Sequence, residues 1–289
     1  MESVGGSSDC VFAFFTIRRV RQVRLTGIEP RGQSERTEVI VKMTLAALSM
    51  LLIVGFQANA STDNLSQETM VSQGNKRTYY LFVPGGITVE RPAALVLLLH
   101  GSGRNGSSLV NLWKDIAARE KLVLAGPDAL DRKGWSSPLD GPEFLHDLVE
   151  ALRARYPIDP RRLYLFGHSA GAVFAINMAL VESEYFAAAA VHAGAFREST
   201  EFSAIDNARR KTPISIQVGD KDQFFSLADV KATGDSLKEH GFEVEVTIIK
   251  RHDHWYYDLA PKINEAAWEF LKRHDLGADP HYERYNYRR

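Results

Sequence analysis

The sequence RLYLFGHSAGAVFAINMAL, at positions 162–180, joins a β-strand pattern to a buried-helix pattern through a short turn that contains glycine. Its first part is rich in β-favouring side chains, and its last part is apolar nearly all round, which is typical of a helix inside a protein. Between them stand Gly167, Ser169 and Gly171, in the pattern G-x-S-x-G. A turn this sharp leaves no room for side chains two residues before and after the serine. We therefore expect Ser169 to project from the carboxyl edge of a buried sheet.

Strand and helix patterns alternate on both sides of this stretch. The predicted strands are residues 69–73, 77–83, 94–100, 122–125, 162–166, 187–192, 214–218 and 243–249. The predicted helices are residues 108–121, 143–155, 170–180, 226–240 and 264–274. Continuous apolar runs such as 94–99 indicate strands buried on both faces, and the polar turn at 72–76 indicates an edge hairpin. The pattern predicts an α/β fold with a doubly wound, mostly parallel eight-stranded sheet and helices on both faces.

The connection after the sixth predicted strand is short. Only twenty residues, 193–212, separate His192 from Pro213. This segment must also contain the crossover helix that returns the chain to the next parallel strand. We therefore expect no large lid over the carboxyl edge of the sheet.

Composition narrows the function classes. The chain has 289 residues, of which 45% are hydrophobic, 10% aromatic and 25% charged, as in ordinary globular proteins. The 35 Lys and Arg residues nearly balance the 36 Asp and Glu residues, and the formal net charge is -1. This balance gives no electrostatic basis for binding nucleic acid or a membrane surface. Cys10 is the single cysteine, so an internal disulfide is excluded. Four Cys or His residues at zinc-finger spacing are also absent from the sequence, and we expect no metal site.

The first sixty residues have the features of a targeting segment. Residues 43–56 are an uncharged apolar run, shorter than the roughly 20 residues that span a membrane. Lys42 precedes this run and Ala58-Asn59-Ala60 follows it, which predicts a signal peptide cut after Ala60 and a secreted or periplasmic protein. A basic tail before an uncleaved anchor is the alternative. Because a signal peptide begins close to its apolar core, we expect translation to start near Val41 or Met43.

Three regions follow from these patterns. We expect residues 1–60 to be an upstream extension plus the signal peptide, whose core is 43–60. Residues 61–274 form the predicted folded domain. Residues 275–289 are rich in Tyr and Arg without an apolar period, and we expect a solvated tail there.

A serine hydroxyl is a poor nucleophile unless a base accepts its proton and an acid orients that base. On a sheet of this kind the acid and then the base follow the serine in the chain. The loop after 214–218 offers Asp220 and Asp222, and the loop after 243–249 offers His252 and His254. Asp222 is favoured because it lies further past the turn, and His254 because it directly precedes the approach to the last helix. Asp220 and His252 remain alternatives.

The loop that follows residues 94–100 is rich in glycine, which lets a backbone approach a substrate closely. Two backbone N–H groups are needed to stabilise an oxyanion, and we expect them at Ser102 in this loop and at Ala170, directly after the serine. His100 precedes Ser169 in the chain, so it is interpreted as a packed strand-end residue. The loop lacks the G-K-[ST] ending of a phosphate-binding loop.

These segments resemble secreted esterases of the α/β-hydrolase superfamily, above all the polyhydroxybutyrate-depolymerase-like and feruloyl-esterase-like group. The matching segments are residues 98–101, 156–164 leading into 167–171, 219–222 and 252–256. The resemblance implies Ser169, Asp222 and His254 as a catalytic triad, and Ser102 and Ala170 as oxyanion donors. It also implies a small-molecule ester as substrate and no cofactor.

The sequence departs from this group in two ways. Many relatives have a cysteine where Ser102 stands, and no linker or extra binding module follows the predicted domain, which favours a soluble ester over a solid polymer. The function predicted is a serine esterase that works through an acyl-enzyme. A peptidase or thioesterase on the same fold, and a non-catalytic binding protein, are the alternatives.

Several side chains are candidates for substrate contact. Trp135, Trp255 and Tyr256 either form aromatic walls for an acyl or aryl group or fill the core. Arg104 either favours an acidic substrate or is an ordinary exposed arginine.

Overall fold

The computed structural model describes residues 65–283. The predicted signal peptide, the expected translation start and residues 284–289 lie outside this described part. None of the helices within 65–283 is long and apolar enough to cross a membrane.

Eight strands form one sheet in the order β1-β2-β4-β3-β5-β6-β7-β8. They are β1 (Leu65–Ser72), β2 (Asn75–Phe82), β3 (Ala93–Leu99), β4 (Leu122–Pro127), β5 (Ile158–His168), β6 (Ala188–His192), β7 (Ile214–Gly219) and β8 (Val244–Ile249). The pairs β1–β2 and β2–β4 are antiparallel, and all the other pairs are parallel. The predicted α/β class and the mostly parallel eight-stranded sheet are therefore confirmed.

Helices cover the sheet. They are α1 (Ser107–Glu120), α2 (Ser137–Asp140), α3 (Pro142–Arg153), α4 (Ala170–Val181), α5 (Ser199–Asn207), α6 (Leu227–Glu239) and α7 (Ala260–Leu271), with a 3₁₀ turn at Tyr256–Asp258 before the last of them. Buried side chains of α1 and α7 join one apolar cluster, and those of α3, α4, α5 and α6 join a second cluster. Alternate residues of β3 belong to the two clusters, so this strand is apolar throughout because both of its faces are covered.

The edge hairpin forms at the predicted turn. Its two central residues, Gln73 and Gly74, both have positive φ, of 50° and 76°. Such a turn matches the right-handed twist of the two strands that it joins. The hairpin places β1 at one end of the sheet, far in strand order from the carboxyl ends of β7 and β8.

The segment 193–212 contains only α5 and short connections, as its length predicts, and it holds no large lid. The C-terminal segment differs from the solvated tail that we expected. The N–H of Leu276 donates to Arg161 O at 3.1 Å, and the N–H of His281 donates to Glu184 O at 2.9 Å. The ring of Tyr282 stacks at 3.8 Å on His146. Residues 275–283 therefore pack on the folded domain.

Candidate active site

Ser169 stands at the junction of β5 and α4 in a strained backbone conformation, with φ 57° and ψ -120°. The neighbouring glycines are required by contact as well as by turn geometry. A Cβ on Gly167 would lie 2.2 Å from the carbonyl oxygen of Gly171, and a Cβ on Gly171 would lie 2.0 Å from that of Leu99. The Ser169 N–H donates to His192 O on the adjacent strand at 3.0 Å. The turn is thus fixed on both sides, and it holds the serine at the carboxyl edge of the sheet.

A histidine and an aspartate continue from the serine hydroxyl. His254 Nε2 lies 2.9 Å from Ser169 Oγ, and His254 Nδ1 lies 2.9 Å from Asp222 Oδ2. The loops after β7 and β8 supply these two side chains. The Asp222 side chain has 0% exposure and the His254 side chain 16%, so the imidazole alone reaches towards the solvent beside the serine.

The charge on Asp222 is supported by hydrogen bonds. Burial opposes ionisation of this carboxyl, but hydrogen bonds from His254 and from the backbone N–H groups of Phe225 and Phe224 outweigh it and lower its pKa below the ordinary value. The two backbone groups donate to Asp222 Oδ1 at 2.9 and 2.8 Å. Oδ2 is therefore left for the imidazole, and an ionised carboxylate there favours the tautomer with hydrogen on Nδ1.

The two alternative residues have other partners. Asp220 Oδ1 accepts from the N–H of Arg251 at 2.7 Å. This bond joins the loop after β7, here called the acid loop, to the loop after β8, here called the base loop. His252 is buried, and its Nε2 lies 3.1 Å from His192 Nε2. Within residues 65–283 neither side chain hydrogen-bonds to Ser169.

A chain of three buried imidazoles lies behind the candidate triad. His192 Nδ1 is 3.1 Å from His168 Nδ1, and its Nε2 contacts His252 Nε2. Burial, reinforced by the nearby histidines, lowers the pKa of His168 to about 3 and that of His192 to about 2. Both rings are therefore neutral at physiological pH, so each ring has one N–H to donate and one nitrogen that accepts.

Sequence analysis missed this row of three histidines. The signal was present, because His168 and His192 end two adjacent parallel strands and pair directly in register. Among the described residues, no group of three or more His, Cys, Asp or Glu side chains is arranged to hold a metal ion. The chain instead connects the end of β5, the end of β6 and the base loop.

The candidate oxyanion donors lie on two segments beside Ser169. Ala170 is the first residue of α4, and N–H groups in the first turn of a helix have no acceptor within the helix. In the glycine-rich loop, a Cβ on Gly101 would lie 3.3 Å from Ser169 Cβ, so this loop packs against the serine. The hydroxyl of Ser102 donates to Lys133 O at 2.6 Å. This bond anchors the glycine-rich loop to the segment that contains Lys133.

His100 is a strand-end packing residue in the structure. Its Nε2 accepts from the N–H of Ala129 at 3.1 Å, so the ring hydrogen is on Nδ1, which lies 2.8 Å from Gly101 O. Desolvation by burial lowers its pKa. These bonds occupy both nitrogens and hold the start of the glycine-rich loop.

Two of the three predicted aromatic walls are interior residues. Trp135 is 3% exposed, donates from Nε1 to His100 O at 2.8 Å and stacks on Phe174. Tyr256 is fully buried, and its hydroxyl donates to Asn264 Oδ1 at 2.5 Å. The prediction that these two rings form substrate walls is therefore corrected, because both pack in the interior.

The exposed rings beside His254 are Trp255 and Phe224. Trp255 is 44% exposed and Phe224 is 62% exposed, and the Phe224 ring centroid lies 4.7 Å from that of His254. Sequence analysis missed Phe224, although it lies only two residues beyond Asp222. The site thus has exposed aromatic side chains next to the imidazole.

Most of the sequence matches a known protein family. A model of the Esterase family, described as "Putative esterase", matches residues 71–271. The chain belongs to this family. This membership confirms the predicted resemblance to esterases, and the solved structures below share the predicted fold. No protein with a curated description matches the chain.

Solved structures share the fold of this esterase. A thermostable esterase is 22% identical with a TM-score of 0.60, and the match covers 73% of this chain and 63% of that chain. A ferulic acid esterase is 14% identical with a TM-score of 0.61, covering 73% and 98%. An S-formylglutathione hydrolase from Agrobacterium tumefaciens is 17% identical with a TM-score of 0.56, covering 72% and 94%. The chain thus spans less than two thirds of the thermostable esterase and nearly all of the other two proteins.

Proposed function

We propose that this esterase cleaves soluble carboxylic esters by acyl transfer, with Ser169 as nucleophile, His254 as general base and Asp222 as the orienting acid. The observation that carries the proposal is the unbroken contact from the serine hydroxyl through both imidazole nitrogens to a buried carboxylate, with 2.9 Å at each step. A base at this distance can accept the hydroxyl proton directly.

In the first step Ser169 Oγ bonds to the ester carbonyl carbon and its proton passes to His254 Nε2. The carbonyl oxygen becomes an oxyanion, which the N–H groups of Ser102 and Ala170 stabilise. The carbon–oxygen bond to the alcohol then breaks, and the alcohol leaves with the proton from His254. An acyl-enzyme remains on Ser169.

In the second step His254 accepts a proton from water while the water oxygen bonds to the acyl carbon. Collapse of this intermediate breaks the bond to Ser169 Oγ, which regains its proton from His254, and releases the carboxylic acid. Asp222 keeps the imidazole oriented in both steps and remains ionised. Its lowered pKa supports this role.

The substrate class that we propose is that of a carboxylesterase, feruloyl esterase or polyhydroxybutyrate-depolymerase-like enzyme acting on soluble esters. The exposed rings of Trp255 and Phe224 support acyl or aryl groups with apolar surface. The short segment 193–212 supports direct access from water. Residues 43–60 support secretion or a periplasmic location, and N-terminal sequencing of the native protein tests it. A mature N-terminus well before Ser61 would contradict that location.

The replacement Ser169→Ala tests the chemistry. We expect turnover of aryl esters to fall about 10³-fold or more, because the nucleophile is lost while the oxyanion donors stay. The measurement is initial rate on a panel of aryl esters, acyl thioesters and peptide amides, together with labelling by a fluorophosphonate probe. Ser203→Ala is the matched control, since Ser203 is an exposed serine on α5.

Three outcomes would contradict the proposal. Ester hydrolysis that survives Ser169→Ala would exclude this nucleophile. A clear preference for thioesters or amides would support the thioesterase or peptidase alternative. An unlabelled and inactive wild-type protein would support a binding function.

A further inference from the structure

We propose that Arg104 binds a carboxylate group of the substrate, so that the preferred substrates are esters that carry a second, ionised carboxyl group. This inference rests on the proposed function and specifies its substrate class.

Arg104 belongs to the glycine-rich loop, and its side chain contacts the segment that follows His254. The backbone N–H of Arg104 donates to Gly101 O at 3.1 Å, and Gly101 packs against Ser169. The guanidinium carbon lies 5.0 Å from the ring centroids of both Trp255 and Tyr257. Because Trp255 directly follows His254, the guanidinium lies on the same rim as the imidazole.

The charge of Arg104 is uncompensated. Arginines elsewhere on the surface pair with carboxylates, as in Arg119 with Glu265 and Arg273 with Glu245. Arg104 is exposed, and it takes part in no ion pair within the part of the chain that the structure describes.

The acidic side chains of the neighbouring loops accept hydrogen bonds from the backbone. Asp253 accepts from the N–H of Trp255, and Asp128 accepts from that of Gly106. Both oxygens of Asp222 are occupied by donors in the candidate triad. Each of these three carboxylates therefore helps to hold its own loop.

Two further cationic residues lie beside the same loop. The Arg132 guanidinium donates to Gly103 O at 3.3 Å, and the backbone of Lys133 accepts the Ser102 hydroxyl. Neither residue forms an ion pair among residues 65–283. Three cationic side chains therefore lie on or beside this loop, and Asp131 is the acidic residue of the same turn, where it accepts from the N–H of Lys133.

The orientation of Arg104 suits a carboxylate. A guanidinium held against aromatic rings loses little further freedom when it binds a ligand. The N–H groups of its edge can donate in parallel to the two oxygens of a carboxylate. The nearby apolar rings of Trp255 and Phe224 would contact the hydrocarbon chain between the ester and this carboxylate.

Two matched substrate pairs test the proposal. Methyl hexanoate is compared with monomethyl adipate, which places the carboxylate on the acyl side. Pentyl acetate is compared with 5-acetoxypentanoate, which places it on the alcohol side. In each pair the anion replaces a terminal methyl group, and acid release is followed by pH-stat with the full chain.

We expect at least one anionic ester to have the higher kcat/KM, and Arg104→Met to reduce the anion-to-neutral ratio about tenfold. Arg104→Lys should keep part of the preference, because it retains the charge without the planar edge. The ratio should also fall as salt is raised, since the arginine is exposed. Arg91→Met is the matched control: Arg91 is exposed, and it precedes β3 at the opposite edge of the sheet.

The outcomes separate this inference from the function on which it rests. An unchanged ratio in both pairs after Arg104→Met, with hydrolysis still abolished by Ser169→Ala, overturns the role of Arg104 alone. A loss of the ratio in Arg91→Met as large as in Arg104→Met overturns it too. Ester hydrolysis that persists in Ser169→Ala overturns the proposed function instead.

Discussion

Asp220 and Asp222 are two residues apart on one loop, and the groups that donate to them give them different roles. Asp220 accepts from the backbone of the base loop at Arg251. Asp222 accepts two N–H groups of its own turn with one oxygen and His254 with the other. One carboxylate therefore fixes the spacing of the loops, and the other faces the imidazole.

Asparagine substitutions distinguish the two aspartates. Asp222→Asn should lower kcat about 10³- to 10⁴-fold, because an amide in place of the carboxylate no longer favours the imidazole tautomer that accepts the serine proton. Asp220→Asn keeps a carbonyl oxygen for the N–H of Arg251 and should change kcat less than about tenfold. The measurement is steady-state kinetics on an aryl ester. If Asp220→Asn is as damaging as Asp222→Asn, the assignment of the acid is wrong.

The sequence predicts the serine of the site because Gly167 and Gly171 are needed for the sharp turn that presents it. It does not separate Asp220 from Asp222, because a turn of two residues can present either side chain. The role of His192 was missed, since the contact with His168 and His252 depends on sheet register rather than on local pattern.

At the scale of elements, a buried ion pair organises the loop that carries Trp135. Arg77 on β2 contacts Asp140 Oδ1 at 2.5 Å, and the two side chains are each 1% exposed. The same carboxylate accepts N–H groups of Leu130 and Ser136. The loop that carries Trp135 also anchors the glycine-rich loop, through the hydrogen bond from the Ser102 hydroxyl to Lys133 O.

Asp140→Asn should destabilise the fold by about 3–5 kcal/mol, because it leaves the buried Arg77 guanidinium without its countercharge. The free energy of unfolding is measured with urea. Glu265→Gln, which removes the exposed partner of Arg119, is the control and should have a far smaller effect. Arg77 also donates to Leu139 O and Asp128 O, and equal effects of the two substitutions would show that these carbonyl groups alone stabilise its charge.

The strands were predictable because each central strand is an apolar run covered on both faces. The bounds of the crossover helix α5, the short helix α2 and the start of β5 were not. α5 contains few apolar residues, and a reciprocal cap between Glu198 and Glu201 stabilises its start. α2 has only 4 residues, which is too few to show a helical repeat in the sequence. β5 begins at Ile158, before a proline that disfavours a strand, because Ile158 pairs with Ala93 across a register shift.

For the whole molecule, the buried histidines tie stability to pH. The pKa of His168 is about 3 and that of His192 about 2 in the folded protein, whereas an unfolded histidine has a pKa of about 6.5. Below pH 6.5 the unfolded chain therefore binds protons that the folded protein does not, and the free energy of unfolding falls as pH falls. Each ring contributes at most about 1.4 kcal/mol per pH unit across this window.

Replacing His192 by Gln should reduce this slope by about one proton between pH 6 and pH 4. The measurement is urea unfolding at several pH values. His281→Gln, at an exposed position, should leave the slope unchanged. A wild-type slope retained in His192→Gln would mean that this ring becomes protonated without unfolding.

The packing of residues 275–283 has a practical consequence for experiments with this protein. Composition alone suggests His274 as the end of the folded domain. A shortened protein that stops there would lose the contact of Tyr282 with Tyr185 and the hydrogen bond from the N–H of Glu283 to Glu182 at the end of α4. Expression vectors should therefore retain the chain at least through Glu283, and a purification handle is better joined beyond that point.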